Sequence, residues 1–535
     1  MFFFICMSLL LPSMTGSRPR LQSPSVWPVD FDELLRFTLS DPLAQEFVNS
    51  SCNRFFEPND EQPARVRIRR GAGGSWTVLP REWQQYFEAI TDPEERERVL
   101  VQLSTGGQDL EKASGSLTDY LTSCRTLSLD RTCSDSPIVS FPPCDVQNVP
   151  EPCTAAQHRP RTIPRPDVEG KINIKNALQA GKSPKKDHEV ERFSSLVARL
   201  KAEGPLTHCV DVGSGRAHLS RSLAAPPLDL HVLAIDWSAS QKSGAERLDE
   251  VLAKARLAPV KGSLTHEVCS LDAEGVADAL RRWPPRQAES PDAPPPPPSS
   301  SLLVALHACG DLTPDAIKAF ISVNQADAKA VFVGCCYNLQ TPELFPLSNL
   351  IRDKFPPPTN SPPSMTRAHL RLTPQSPPTW HLSPASTAAW HASTLKLAFR
   401  ARFEAELVAA VPQIGPPESH RIGRVSECKS WEAYRERAMR KMDTVYSGDE
   451  LPELEFEGGP EGWNTAMFLL RVFWTLRSWL GPPLESLCIL DRFAFLCEGL
   501  EACDGEEGWS QRRVEIVNLF EQATGSLRNM AIVVR

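Results

Sequence analysis

The sequence predicts an α/β fold, a Rossmann-like and largely parallel sheet with helices on both faces. Three observations predict it. Residues 207–212 form a short apolar run that opens on Gly213-Ser214-Gly215 and then on a helix-like stretch, 218–224. Further apolar runs at 231–236, 267–272, 301–308 and 331–334 each stop at polar residues. The order strand, glycine turn, helix, strand is that of a parallel sheet with crossover helices.

The remaining elements follow in chain order. Residues 1–12 (MFFFICMSLLLP) resemble a signal-peptide core but lack a basic leader and a small-residue cleavage site. They are too short to span a bilayer. Residues 1–29 are read as an apolar tail, and no membrane segment is expected. Residues 30–122 read as a helical domain: Phe31, Leu34 and Leu35 recur at helical spacing, and Asp92-Pro93-Glu94-Glu95 opens a helix with a cap, a first-turn proline and acids. Within it, 64–70 alternates basic and apolar residues like an edge strand. Residues 123–170 read as a Pro/Ser-rich linker. The core is assigned to 171–350, with a solvated proline insertion at 284–301 and a second, disordered one at 351–386. A helical insertion, 387–480, precedes a final unit, 481–535, of one helix and the β-branched strand 530–534.

The glycine turn carries the chemistry. Gly213 and Gly215 let the backbone approach a nucleotide-like ligand with no Cβ in the way. A dinucleotide fingerprint needs a third small residue where the helix meets the pyrophosphate; His218 stands there. Asp211 would repel a pyrophosphate and can hold an ammonium group. These details favour S-adenosylmethionine. Asp236 lies about 20 residues past Gly215, the spacing of a ribose-binding acid, and Asp272 is placed to meet the adenine amino group. The ordinary alternative for both is a polar strand end. The cofactor set is therefore Asp211, Gly213, Ser214, Gly215, Asp236 and Asp272, with His307 at the rim.

Several stretches together carry a family resemblance. They are Ser183-Pro184-Lys185-Lys186-Asp187-His188-Glu189, Val210 to Arg221 (VDVGSGRAHLSR), Leu306 to Leu312 (LHACGDL), Gly334 to Tyr337 (GCCY), Pro483 to Glu498 and Ser526 to Val534. They resemble the methyltransferase-like protein 25 and 25B family, one member of which is named for a ribosomal RNA adenine dimethylase domain. Family members tend to have Pro where this chain has Leu527. The resemblance implies a class I methyltransferase sheet, S-adenosylmethionine as cofactor, and a final strand that runs antiparallel to its neighbours. The acceptor expected for this chain is RNA or protein.

Methyl transfer needs alignment of acceptor and sulfonium, and a base where the acceptor carries a proton. His307 is the candidate base, with a pocket-shaping ring as the alternative. Asp311 is a second candidate, although a cap on the next helix fits it better. Tyr337 and Asn338 sit where an acceptor would be held, or simply form a turn. Adenine amino methylation ordinarily uses an Asn/Asp-Pro-Pro-aromatic turn; this chain has His307-Ala308-Cys309-Gly310. Cys309, Cys335 and Cys336 are open to being a thiolate nucleophile or, with His307, a zinc site. Neighbouring side chains diverge on an extended strand, so buried thiols are the plainer reading and no metal is assigned.

Bulk properties bound the partners. The net charge is −8 and the pI about 5.9, so any RNA contact must be local. Basic residues from Arg159 to Lys186 offer such a patch. The 15 cysteines follow no repeating spacing, which suits reduced thiols in cytoplasm or nucleus. In 535 residues, 49 are proline, against a usual share of about 5%.

Overall fold

Eight strands build one sheet: β1 (Pro137–Phe141), β2 (His208–Val212), β3 (His231–Asp236), β4 (Ser263–Val268), β5 (Ser301–Ala308), β6 (Lys329–Gly334), β7 (Val514–Asn518) and β8 (Met530–Val534). Their order is β4-β3-β2-β5-β6-β8-β7-β1. Strands β2 to β6 are mutually parallel. β8 runs antiparallel to both β6 and β7, and β1 runs antiparallel to β7. This is the expected Rossmann-like sheet, closed by an antiparallel strand and carrying one extra edge strand. The computed structural model describes residues 27–56, 67–68, 74–108, 110, 113–134, 136–142, 182–254, 261–283, 301–325, 327–354, 364–411, 422–425, 429–442, 451–509 and 512–535. Most of the expected apolar tail (1–26), the basic stretch 159–181 and the proline tract 284–300 lie outside the described residues.

Strands β2, β3, β5 and β6 are buried along nearly their whole length, so they read as mostly apolar runs, whereas β4 is half-exposed and begins four residues before the expected run at 267–272. Side chains alternate across the pleat. Leu302, Val304 and Leu306 of β5 face one core, while Leu303 and Ala305 face the other. The first core is closed by α6 (Pro184–Ala202) and α7 (His218–Ala224). α6 begins where Ser183 accepts a hydrogen bond from the Lys186 amide and Pro184 fixes the first turn. Its Phe193, Leu196, Val197 and Leu200 fall on one stripe and are fully buried.

The opposite face carries α9 (Ala273–Arg282), α10 (Leu312–Val323) and the helical parts of the chain. The helices at 31–126 pack directly on α13 (Pro460–Ser478) and the residues after it. Tyr120 donates its hydroxyl to the Leu476 carbonyl (2.9 Å), and Trp479 Nε1 donates to the Leu103 carbonyl (2.8 Å). The amino-terminal helices and the insertion therefore share one core with the sheet.

Three sequence assignments change. The 123–170 linker contains β1, because Asn518 and Asn529 donate side-chain hydrogen bonds to the carbonyls of Asp130, Thr132 and Arg131 and hold that loop at the sheet edge. The 351–386 insertion is ordered over 364–386: helix Arg367–Leu372 buries Leu370 and Leu372, and its Thr366 cap makes a capping box with His369. The final unit has two strands, β7 and β8, after α14 (Gly481–Trp509). The alternating stretch at 64–70 contributes only Arg67–Ile68, paired with Glu455–Phe456. Among the described residues, no helix is long and apolar enough to cross a membrane.

α14 is the mast of the molecule. Its buried Glu485 accepts from Arg131 (2.7 Å) and Arg528 (2.9 Å). Its buried Asp491 instead takes backbone: Leu347 N at 2.9 Å, Ser348 N at 2.9 Å and Ser348 Oγ at 2.8 Å. Asp491→Ala would strand two buried amides, and is expected to cost roughly 3 kcal/mol. A lowered urea midpoint at unchanged slope would show it; an unchanged midpoint would contradict it.

Candidate cofactor and acceptor site at the strand ends

The carboxyl ends of β2, β3, β5 and β6 meet on one rim, where an open α/β sheet binds its ligand. β2 ends in the glycine turn. Gly213 and Gly215 have φ of 70° and 55°, in the left-handed region that glycine adopts without cost. A Cβ on Gly215 would meet open space, so the backbone conformation is what demands glycine there. The amides of Gly213 and Ser214 both donate to the Ile235 carbonyl, at 3.0 and 3.1 Å. Gly215 N donates to Asp236 Oδ2 at 2.9 Å, and Ser238 N donates to Asp236 Oδ1 at 2.9 Å. The end of β3 thus grips the turn that follows β2. Each carboxylate oxygen has a second acceptor position.

Asp211 is buried and accepts from Ser220 Oγ at 2.5 Å, tying β2 to α7. Burial pushes its carboxyl up to about 6, against the pull of Ser220 and Lys186. His218, the bulky residue of the turn, is pushed down to about 4 by burial and by the charges of Lys182, Arg221, Lys186 and Arg216. It is neutral near pH 7 and sits in a cationic setting. Trp237, directly after Asp236, is 75% exposed.

Asp272 is held by its own helix. It lies four residues past β4, where it caps α9 by accepting from Gly275 N (2.9 Å) and also accepts from Ser270 Oγ (2.5 Å). Those two bonds, led by Ser270, hold its exposed carboxyl below the usual range. Its carboxylate works as a helix cap.

His307 stands near the end of β5. The β5–β6 register slips between Leu306 and Ala308, and His307 has a φ of 60°. A non-glycine residue in that region costs of order 1 kcal/mol or more and re-aims its side chain. Here the ring meets Glu189 of α6, Nε2 to Oε2 at 2.8 Å. Glu189 is 1% exposed and lies 3.7 Å from Lys186 Nζ. Burial pushes its carboxyl up, but the His307 hydrogen bond and the nearby charges of His307, Lys186 and Lys185 outweigh it and leave it lowered. The Oε1 atom of Glu189 is buried without a hydrogen-bond partner.

Two candidate catalytic residues, Tyr337 and Asp311, are held by other contacts. Tyr337 is fully buried under the Arg492 guanidinium, 4.7 Å from its ring centroid. Burial raises its hydroxyl well above the usual range, so it packs and does not exchange protons. Asp311 makes no side-chain cap on α10. It accepts from Thr341 N (2.7 Å) and Thr341 Oγ1 (2.6 Å) and braces the loop after β6. Asn338 is exposed on the turn Tyr337–Leu339.

The three thiols do converge. β6 ends at Gly334, and Cys336 leaves the extended conformation with φ −92° and ψ 67°. The expected divergence of Cys335 and Cys336 therefore does not occur. Cys309 Sγ is 3.0 Å from Cys335 Sγ, and that hydrogen bond, opposed by burial, holds Cys309 down at about 6. Cys335 is raised by the same contact.

Comparison with known proteins bears directly on this rim. The family described as "Methyltransferase domain" matches residues 185–342, from α6 through the loop after β6. Methyltransferase-like protein 25 of Homo sapiens is 27% identical over 213 residues, covering 37% of this chain and 32% of that protein. The Mus musculus protein of that name is 27% identical over 214 residues, again covering 37% and 32%. Part of the chain, 185–342, is thus similar to the methyltransferase-domain family, and the chain resembles methyltransferase-like protein 25. The match spans about a third of those relatives' length. Among solved structures, an S-adenosylmethionine-dependent methyltransferase from Clostridium acetobutylicum aligns at 15% identity over 32% of this chain and 58% of its own, with a TM-score of 0.18. Coclaurine N-methyltransferase, bound to N-methylheliamine and SAH, aligns at 9% identity over 86% and 95%, with a TM-score of 0.20. The fold assignment rests on the strand order.

Asp211 generates a pH prediction. Its folded value of about 6 exceeds its ordinary 3.8. Between these values the folded chain holds a proton that the unfolded chain has released. The stability it contributes is full below pH 4 and is lost as pH rises through 6. Asp211→Asn keeps an acceptor for Ser220 without that loss. It should gain on the wild type by roughly 2–3 kcal/mol between pH 4 and 7, measured by urea unfolding. A pH-independent difference would contradict this.

Proposed function

We propose that this chain binds S-adenosylmethionine at the rim of β2 and β3 and transfers its methyl group to an RNA or protein acceptor that enters beside His307. The observation that carries the reading is the glycine turn locked by Asp236. The matched methyltransferase domain supports the chemistry. The residues suit the cofactor's parts. Asp236 keeps acceptor positions for ribose hydroxyls. Asp211 supplies negative charge for an ammonium group, and the cations around His218 suit a carboxylate. The exposed Trp237 offers a ring face to adenine. The cofactor, when bound, supplies an electrophilic methyl group.

The chain's own contribution at the acceptor is His307. Glu189 orients its ring through Nε2, as a buried carboxylate does for a general base. The basic approach at 159–186 fits an RNA acceptor, and its described end, Lys186, turns toward Glu189. Asp311 and Tyr337 are spent on structure, which leaves His307 as the proton-handling group and favours a second reading, a binding scaffold without catalysis, should His307 prove dispensable.

The test is calorimetric titration of the full chain with S-adenosylhomocysteine beside Asp236→Ala. Micromolar binding is expected, weakened at least about tenfold in the variant, as for loss of a charged hydrogen-bonding group. Equal binding by both proteins, or none by folded wild type, would overturn the cofactor site. His307→Ala should bind the cofactor normally and lose methyl transfer. Full transfer activity would remove His307 from the mechanism.

A further inference from the structure

The thiols at the ends of β5 and β6 are not used by the cofactor or by His307. They come from two separate segments. Cys309 follows β5, and Cys335 and Cys336 follow β6. Their three Sγ atoms lie within 4.8 Å of one another. Two of the separations are 3.0 Å (Cys309–Cys335) and 3.5 Å (Cys335–Cys336). Gly310 N donates to the Cys336 carbonyl at 3.2 Å, so backbone holds the two exits together. Cys309 is exposed and the other two are half-buried, which gives an ion a route from solvent.

We propose that Cys309, Cys335 and Cys336 form a binding site for a thiophilic divalent metal ion, zinc fitting best, with its fourth coordination position open. Three arguments carry this. Zinc–sulfur bonds of about 2.3 Å in tetrahedral array place sulfurs about 3.8 Å apart, so the three thiols need shift by less than about 1 Å. An all-sulfur donor set selects zinc and related soft ions over magnesium and calcium. Among the described residues the cluster has three ligands and no fourth His, Cys, Asp or Glu. Three protein ligands with one open place is the pattern of reactive rather than structural zinc. His307, two residues before Cys309, is committed to Glu189 and lies outside the ligand set. On binding, the thiols release protons to solvent and the ion takes their place. The site needs no cofactor and does not depend on the methyl-transfer reading. Both rims lie on the same edge of the sheet.

The test uses the full chain, prepared under anaerobic reducing conditions, loaded with zinc and then cleared with a weak chelator. The chain should retain one zinc per molecule by elemental mass spectrometry. Cobalt loading should give thiolate-to-metal charge-transfer absorption. Cys309→Ser and Cys335→Ser should each lose both signals, while Cys503→Ser, a distant exposed thiol, keeps them. Cys309 is exposed, so its serine variant retains the fold, checked by thermal melting. Substoichiometric zinc in the wild type would overturn the site. So would retention of zinc in both cluster variants, or a Cys309–Cys335 disulfide in a chain whose reduced form binds no metal. Titration of the same samples with S-adenosylhomocysteine separates this failure from failure of the cofactor reading.

Discussion

The grip of Asp236 on the backbone of the glycine turn is the constraint on which the site depends. One carboxylate bonds the amides of Gly215 and Ser238, and the carbonyl one residue earlier takes those of Gly213 and Ser214. Four amides that would otherwise need water are satisfied by a single strand end. The turn is thereby fixed to β3, and α7 starts where it does because the turn delivers Ala217 with φ 56°. Asp211 then ties β2 to that helix through Ser220. A ligand entering such a rim meets a preformed cradle and loses little affinity to ordering it.

The rest of the chain exists around this sheet as scaffolding with an unusual closure. The last two strands join the sheet only after 179 residues, from 335 to 513, have intervened since β6. Glu485 holds that closure. It takes a half-buried Arg131 from the amino-terminal part and a buried Arg528 from the loop before β8. A buried carboxylate with two guanidinium partners specifies arrangement more than it adds stability, since desolvation offsets much of the attraction. The two asparagines, Asn518 and Asn529, repeat the connection with neutral hydrogen bonds to the 130–132 backbone.

Much of this was legible in the sequence. The glycine turn, the acid ending β3 and the apolar runs of β5 and β6 each carry local signals that survive tertiary packing. Other features depended on contacts between distant residues. β1 hides in a proline-rich stretch because asparagines about 390 positions away hold it in place. Asp272 caps the helix for which Gly275 supplies the amide, and Asp311, expected as a cap or base, ties a loop because Thr341 lies within its reach. Tyr337 lost its place at the acceptor because Arg492 covers its ring. Glu189 did leave a trace. It occupies the same helical stripe as Phe193, Leu196 and Leu200, a charge among core positions, which marks a buried acid in need of a partner. The thiol cluster was hidden by the assumption that Cys335 and Cys336 continue a strand, when the backbone bends between them and the strand's end.

The central claim is that the glycine turn and the end of β3 form a cofactor cradle. Hydrogen exchange of the full chain, with and without S-adenosylhomocysteine, addresses it most directly. The account predicts slowed exchange concentrated at 210–218 and 235–238, with the helices at 384–442 unaffected. Protection absent from those two segments, or confined to the helical insertion, would contradict it.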